Sequence, residues 1–352
     1  MLRRRNIIII AVVLAFVAGI AGTLLLRRGR PPKAARLLPS ADAYIYIDLV
    51  PLRTAGLFKN SPSTVDPEYA QFVHDTGFQF ERDLDEAAFA VHLPPPVAAN
   101  ANSPPETRYS EVFVGRFDNA KLADYLRKTA ASSKPYRSTL IYSIPLPGRT
   151  VRVVVLNQAM VAASNTESEL AIDEIIDRND NTFTGRGPDL LRRYYRNIPL
   201  ATVAWAVART APAGQQGNAR YEMPGGFDLF FPPDTVIVAA LRYLGSIEFQ
   251  ADAFTPTHED AQRVSDQLNA FLAVARTVEI RAQAGDPDLK AFFDSISVTQ
   301  FADHMELKAT IPPGFVKKIV SEPPVETLGA SPPVAPEKKQ STEAKKKVRR
   351  QK

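Results

Sequence analysis

The side chains of this sequence best suited to chemistry are four histidines, two short acidic stretches and a basic terminus. His258, Glu259 and Asp260 are consecutive and of metal-ligating type. Spacings that wrap ligands round one ion, such as His-Glu-x-x-His, are missing, and acids are expected in the first turn of a helix from its dipole alone. Asp177, Asn179 and Asn181 match the first three ligand positions of a calcium loop. Thr182 stands where that loop needs glycine and Pro188 where it needs glutamate, so a polar loop between two helices is expected instead. The run Glu81–Glu86 (ERDLDE) holds carboxylates for acid–base work, but a solvated turn is the expected reading.

No nucleophile elbow, phosphate-binding loop or dinucleotide fingerprint occurs, and the absence of cysteine removes disulfides, thiolate nucleophiles and thiolate-bound metals. No catalytic, cofactor-binding or metal-binding residue is assigned. Binding chemistry is concentrated at the C-terminus, in Lys338, Lys339, Lys345, Lys346, Lys347, Arg349, Arg350 and Lys352. A run of this kind attracts anionic lipid or an anionic polymer or protein, or serves only as a solubilising tail.

Charge is partitioned along the chain. Residues 1–36 carry +8 and residues 337–352 carry +6, so a total of +5 leaves −9 for residues 37–336. A nucleic-acid-binding fold shows a basic patch within itself, so nucleic acid is an unlikely partner for this acidic body.

The body is expected behind a membrane anchor. Ile7–Leu26 is an uncharged apolar run of 20 residues between arginine clusters. At about 1.5 Å per residue it matches a bilayer core of roughly 30 Å, and it is longer than the apolar part of a cleaved signal peptide. Ala11, Ala15, Gly19 and Thr23 repeat at four-residue spacing, which lets a second copy pack closely as a homodimer or reflects only the abundance of small residues in membrane helices. A signal-anchor puts the body outside the cytoplasm of a bacterial inner membrane. The greater basic count after the run, from Arg27 to Arg36, favours the opposite orientation.

Alternating apolar residues predict strands near 43–49, 86–93, 109–117, 139–144, 150–156, 160–163, 201–208, 235–243, 246–254, 295–301 and 305–309. Helices are expected at 67–75, after Asp118, after a Ser164–Glu167 capping box, at 188–196, after a Thr255 cap, at 287–293 and at 313–319. The pattern predicts an α+β fold of mostly antiparallel sheets with helices on one face. Its parts are an anchor over 1–36, two similar halves at 37–197 and 198–320, and a disordered proline-rich then basic tail over 321–352.

LLPSADAYIYIDL (37–49) and GRFDNAKLADYL (115–126) resemble bacterial single-pass, membrane-anchored α+β proteins, a domain family without an assigned activity. The resemblance implies the anchor and the fold and transfers no site residue. The function expected is a membrane-anchored extracytoplasmic binding or scaffolding module. The alternative is an anchored hydrolase with a site assembled from scattered carboxylates and histidines.

Overall fold

A computed structural model describes residues 30–56, 67–93, 107–181, 187–212, 230–243, 245–282 and 287–314. The apolar run Ile7–Leu26, the proline-rich stretch 94–106, most of the predicted helix at 313–319 and all eight tail cations lie outside the described residues. Among the described residues no helix is long and apolar enough to cross a membrane.

The chain begins with α1 (Lys33–Leu37), β1 (Ala43–Asp48) and α2 (Leu49–Thr54). Next come α3 (Pro67–Thr76), α4 (Phe80–Asp83) and the hairpin of β2 (Leu84–His92) with β3 (Arg108–Gly115). A crossover helix α5 (Asn119–Thr129) leads to a meander of β4 (Ser132–Tyr136), β5 (Thr139–Leu146), β6 (Arg149–Asn157) and β7 (Met160–Ser164). Helices α6 (Leu170–Asp180) and α7 (Asp189–Tyr194) close the first half. The second half holds β8 (Thr202–Arg209), β9 (Val236–Tyr243), β10 (Ile247–Phe254), α8 (His258–Ala282), α9 (Pro287–Ser295), β11 (Ser297–Gln300) and β12 (His304–Ile311).

All twelve strands form one sheet in the order β11-β12-β10-β9-β8-β1-β2-β3-β7-β6-β5-β4. Every neighbouring pair is antiparallel. The α+β expectation holds, and the two halves share a wiring. A hairpin (β2–β3 or β9–β10) is followed by a helix (α5 or α8), and the returning strand (β7 or β12) pairs with the second hairpin strand.

Helices cover both faces, not one as the pattern predicted. Strand side chains alternate between faces, and both periods of this sheet are apolar over much of its area. On the front, Tyr44, Tyr46, Ala88, Ala90, Val112, Val154, Ala162, Trp205, Val207 and Val238 pack with α1, α6 and α7 into the main core. On the back, Phe72, Phe78, Phe89, Phe113 and Phe117 unite α3 with β2 and β3, while Leu122 and Leu126 of α5 meet Tyr142 and Val161. At the other end of the back face, Val264 and Leu268 of α8 pack on Ala253 and Met305.

The basic stretch after Pro32, grouped with the anchor by its sequence, is instead part of this core. Ala34, Ala35 and Leu38 are fully buried, α1 packs on α6, and Arg178 of α6 donates to the Leu38 carbonyl. The residues look like a linker because lysine and arginine flank them; Ala and Leu bury while the cationic ends reach outward.

Two caps differ from the expected ones. The helix after Ser164 starts at Leu170 behind Glu169, because Ser164 bonds to Ser110 and Thr166. The long helix is capped by Thr257, whose hydroxyl accepts from Asp260 N and donates to the Asp260 carboxylate. Strand β4 was not expected: SSKPY is an exposed edge with a proline, and such strands lack an apolar alternation. At Gly115 an added Cβ would meet the Asp83 carbonyl at 2.5 Å, so the β2–β3 hairpin closes only over glycine.

The burial of Leu38 yields a quantitative expectation. Leu38→Ala should lower unfolding free energy by about 2–5 kcal/mol, whereas Leu170→Ala, at a side chain 73% exposed, should change it by no more than about 0.5 kcal/mol. Urea unfolding of the two variants measures the difference.

Candidate functional site

The histidines and acids singled out by type are dispersed. His74 sits beside Asp75 at 3.0 Å, and His258 faces the Ala302 carbonyl at 3.1 Å. His304 lies between the rings of Phe254 and Phe301 and contacts Asp303 at 2.8 Å. No cluster of three or more metal-ligating side chains is present among the described residues. Asp177 and Asp180 belong to the last turn of α6 and not to a loop. There they serve Arg137 and Tyr136, with Arg137 Nε 2.5 Å and Tyr136 Oη 3.1 Å from Asp177.

The acidic run Glu81–Glu86 is not a solvated turn. Asp83 is buried, and its carboxylate accepts from Gln79 N at 3.0 Å and from Arg82 at 2.9 and 2.6 Å. The Arg82 bonds, reinforced by the Gln79 amide, hold its pKa below the ordinary carboxylate value. Asp85 pairs with Arg53 at 3.1 Å. Glu86, already in β2, turns to the front face and bonds Tyr46.

One serine and one histidine do meet. His92 Nε2 lies 2.9 Å from Ser110 Oγ, which continues to Ser164 Oγ at 3.0 Å and Thr166 Oγ1 at 3.0 Å. Burial lowers the His92 pKa, against the nearby charges of Asp42 and Glu174. Ser110 is 0% exposed. A nucleophile needs a position about 3 Å away for the reacting atom, and here that position is filled by the core. The chain satisfies buried hydroxyls where three strands carry polar residues inward.

Besides a cavity of about 180 Å³ beside Asp42, Asp189 and Arg209, two features are accessible. The first is the back face of the central strands, between the α3–α5 wall and α8. The register there aligns Phe89, Ile45, Ala206, Ala239 and Ala251 across β2, β1, β8, β9 and β10. Adjacent rows add Ile47, Ala204 and Leu241, and Ala43 and Ala208. These residues are half-buried, and Ile45 is 38% exposed. Of the described helices, α2 meets this side of the strands at the end near Asp48, α3 borders it at Phe89 of β2, and α8 borders it at Ala253 of β10. Glu111, which pairs with Phe89 in register, adds one carboxylate at the β3 margin. Burial raises its pKa, with Arg149 as the opposing charge.

The second feature is a cavity of about 220 Å³ on the front, at the C-terminal end of β1. Tyr46 and Trp205 are cross-strand neighbours with stacked rings 5.4 Å apart, and Tyr195 meets the Trp205 ring edge-on at 5.6 Å. Asp48, Pro32 and the segment Ile198–Thr202 complete the lining. Asp48 caps α2 through Val50 N at 3.1 Å. Burial raises the pKa of both Asp48 and Glu86. Neither has an ion-pair partner among the described residues, because the nearby Arg53 is engaged by Asp85. Nothing local in the sequence marks this group: Tyr46 and Trp205 lie far apart in the chain and meet through strand register, and Tyr195 reaches them from the turn after α7.

No protein-family model and no curated protein matches the chain. Among solved structures, crystal form III of TP0453 is similar at a TM-score of 0.43 with 9% identity, covering 83% of this chain and 99% of that one. Crystal form I gives 0.42 and 9%, and crystal form IV gives 0.40 and 8%, each over 82% of this chain and 96% of that one. Likenesses of this grade carry no argument about function.

Asp252 supplies a pH prediction. Its side chain is buried at 5% exposure, opposite Glu306 in register, and accepts only from the Gln250 amide at 3.2 and 3.3 Å. Burial, then Glu306, raises its pKa. The folded state therefore holds this proton more tightly than the unfolded chain, and stability falls as pH rises through the folded value. Asp252→Asn should be more stable than the parent at neutral pH. The gain should vanish once acid protonates the parent's carboxylate, as urea unfolding at several pH values would reveal.

Proposed function

We propose that this chain is a single-pass protein of a bacterial inner membrane whose body, outside the cytoplasm, works as a binding or scaffolding module. The observation that carries this reading is the half-exposed apolar back face of β1, β8, β9 and β10. A contiguous exposed apolar surface is characteristic of an interaction site. The alanine floor leaves room for close approach of a partner's backbone or side chains, and Glu111 at its margin selects a partner with a basic group near an apolar surface. The resemblance to membrane-anchored α+β proteins supports the tether. The tail cations Lys338, Lys339, Lys345, Lys346, Lys347, Arg349, Arg350 and Lys352 extend the reading to a second, electrostatic contact with anionic lipid or polymer.

The hydrolase alternative draws on the Ser110–His92 contact at 2.9 Å. Its serine is enclosed, and an enclosed hydroxyl cannot reach a substrate carbonyl. A fluorophosphonate probe should leave the full-length protein unlabelled, and stoichiometric labelling at Ser110 would restore the hydrolase.

The binding reading is tested in cells. Reporters fused after Gly329 should be active on the extracytoplasmic side. A photo-crosslinking residue at Ala206, on the open face, should give a discrete adduct, and the same residue at Leu146, exposed on β5, should give none. Equal adducts at both positions, or none at either, would remove the back face as the binding surface.

A further inference from the structure

The front cavity is a separate feature from the back face and points to a ligand of its own. Its floor is the Tyr46–Trp205 stack, its side the Tyr195 ring, and its rim Asp48. Glu86, the register partner of Asp48 on β2, accepts from the Tyr46 phenol and is not part of the lining. A volume of about 220 Å³ is below the roughly 300 Å³ at which drug-sized pockets begin, so the guest is a small group and not a folded cofactor. Aromatic faces attract cations through their quadrupole, and a carboxylate at the rim adds a charge-assisted hydrogen bond.

Metal is a poor match. Hard cations take six or more oxygens, whereas this cavity brings one carboxylate, Asp48, to its lining. Anions are opposed by Asp48, Asp85 and Glu86, and the nearby Arg53 is already committed to Asp85. A short alkyl chain ending in a protonated amine satisfies both parts, with its methylenes against Ile198, Pro199 and Leu200 and its charge toward Asp48.

We propose that the cavity bounded by Tyr46, Trp205, Tyr195 and Asp48 is a binding site for a protonated alkylamine. The group is either a small free amine or the side chain of a lysine in a peptide. The raised pKa of Asp48 fits a carboxylate buried without its counter-charge, which such a guest would supply.

Trp205 is the sole tryptophan of the chain, so its fluorescence reports on this cavity directly. Full-length protein in detergent is titrated with n-butylammonium and, as the neutral isostere, with n-butanol. Nα-acetyl-lysine amide and its Nε-acetylated form provide the peptide arm. The ammonium compounds should change Trp205 emission saturably, and the neutral ones should not. Saturation by n-butylammonium alone assigns a free amine. Tighter saturation by the lysine amide assigns a peptide side chain.

Asp48→Asn keeps a side chain that caps helices as well as aspartate does, so α2 is retained while the charge is removed. That substitution should weaken ammonium binding about tenfold or more, the scale of one charge-assisted hydrogen bond. Thermal unfolding followed by circular dichroism verifies that the variant is folded. An equal response to n-butanol, an unchanged affinity in folded Asp48→Asn, or no saturable response to either ammonium compound would overturn the site. None of these results bears on the back face.

Discussion

The double pairing of β1 is the constraint on which the rest depends. All six of its residues pair with β2 on one edge and Ala43–Ile47 pair with β8 on the other, so the first described strand joins everything that follows it into one sheet. An unpaired backbone group in the middle of a sheet would have no water to replace its partner. The two halves therefore cannot separate without exposing one ladder of β1. Tyr44 fixes this strand to the chain before it. Its phenol donates to the Pro39 carbonyl at 3.0 Å and accepts from Ala41 N at 2.7 Å, while the ring lies in the main core. That clasp brings α1 back across β2 and β3 and places Leu38 under α6.

With both edges of β1 committed, its two faces divide the work. Tyr44 and Tyr46 supply large rings to the front, where the helices lie; Ile45 and Ile47 face a back largely bare of described helices. The residues sharing that bare surface are mostly alanine. Hydrophobic gain scales with apolar area, at about 25 cal/mol per Å², so alanine loses little by remaining half-exposed. The same floor built of leucine would be an aggregation hazard in a free protein. Alanine at these register positions makes an open apolar face tolerable, and its alignment across adjacent strands makes the surface continuous.

Strand positions were legible in the sequence because the apolar alternation of β1, β8, β9 and β10 is a local property of each segment. The helix faces of α5 and α6 were legible for the same reason, through Leu122 and Leu126 and through Ile172, Ile175 and Ile176, all of which are buried. Caps were read less well. Ser164 and Thr255 have the right chemistry, but neighbouring residues compete for the role, and tertiary bonds decide. The core role of α1 was hidden because KAARL carries no periodicity of its own in five residues, and only the docking partner shows which side is buried. Among candidate site residues, the acidic run was visible but its burial was not. Nothing local to Tyr46, Tyr195 or Trp205 announces that the three rings share a cavity.

The acidity of the body also takes a different meaning in three dimensions. A charge of −9 over residues 37–336 looks like a solvated surface. Yet Asp48, Glu86, Glu111 and Asp252 all have pKa values raised first by burial, and no salt bridge among the described residues neutralises any of them. Burying a carboxylate without a cation costs stability, and it would be relieved by the simplest replacement, an amide of the same shape. Asp83 shows that the fold can pair an inward acid well where pairing serves structure alone, since Arg82 and Arg116 both approach it. The unpaired acids are positioned differently: Asp48 lines the aromatic cavity with Glu86 beside it in register, and Glu111 borders the open back face. Perturbed carboxylates concentrate where charge is used for more than folding. Three of these four lie at the aromatic cavity or the back face, so uncompensated negative charge and these concave or open surfaces coincide.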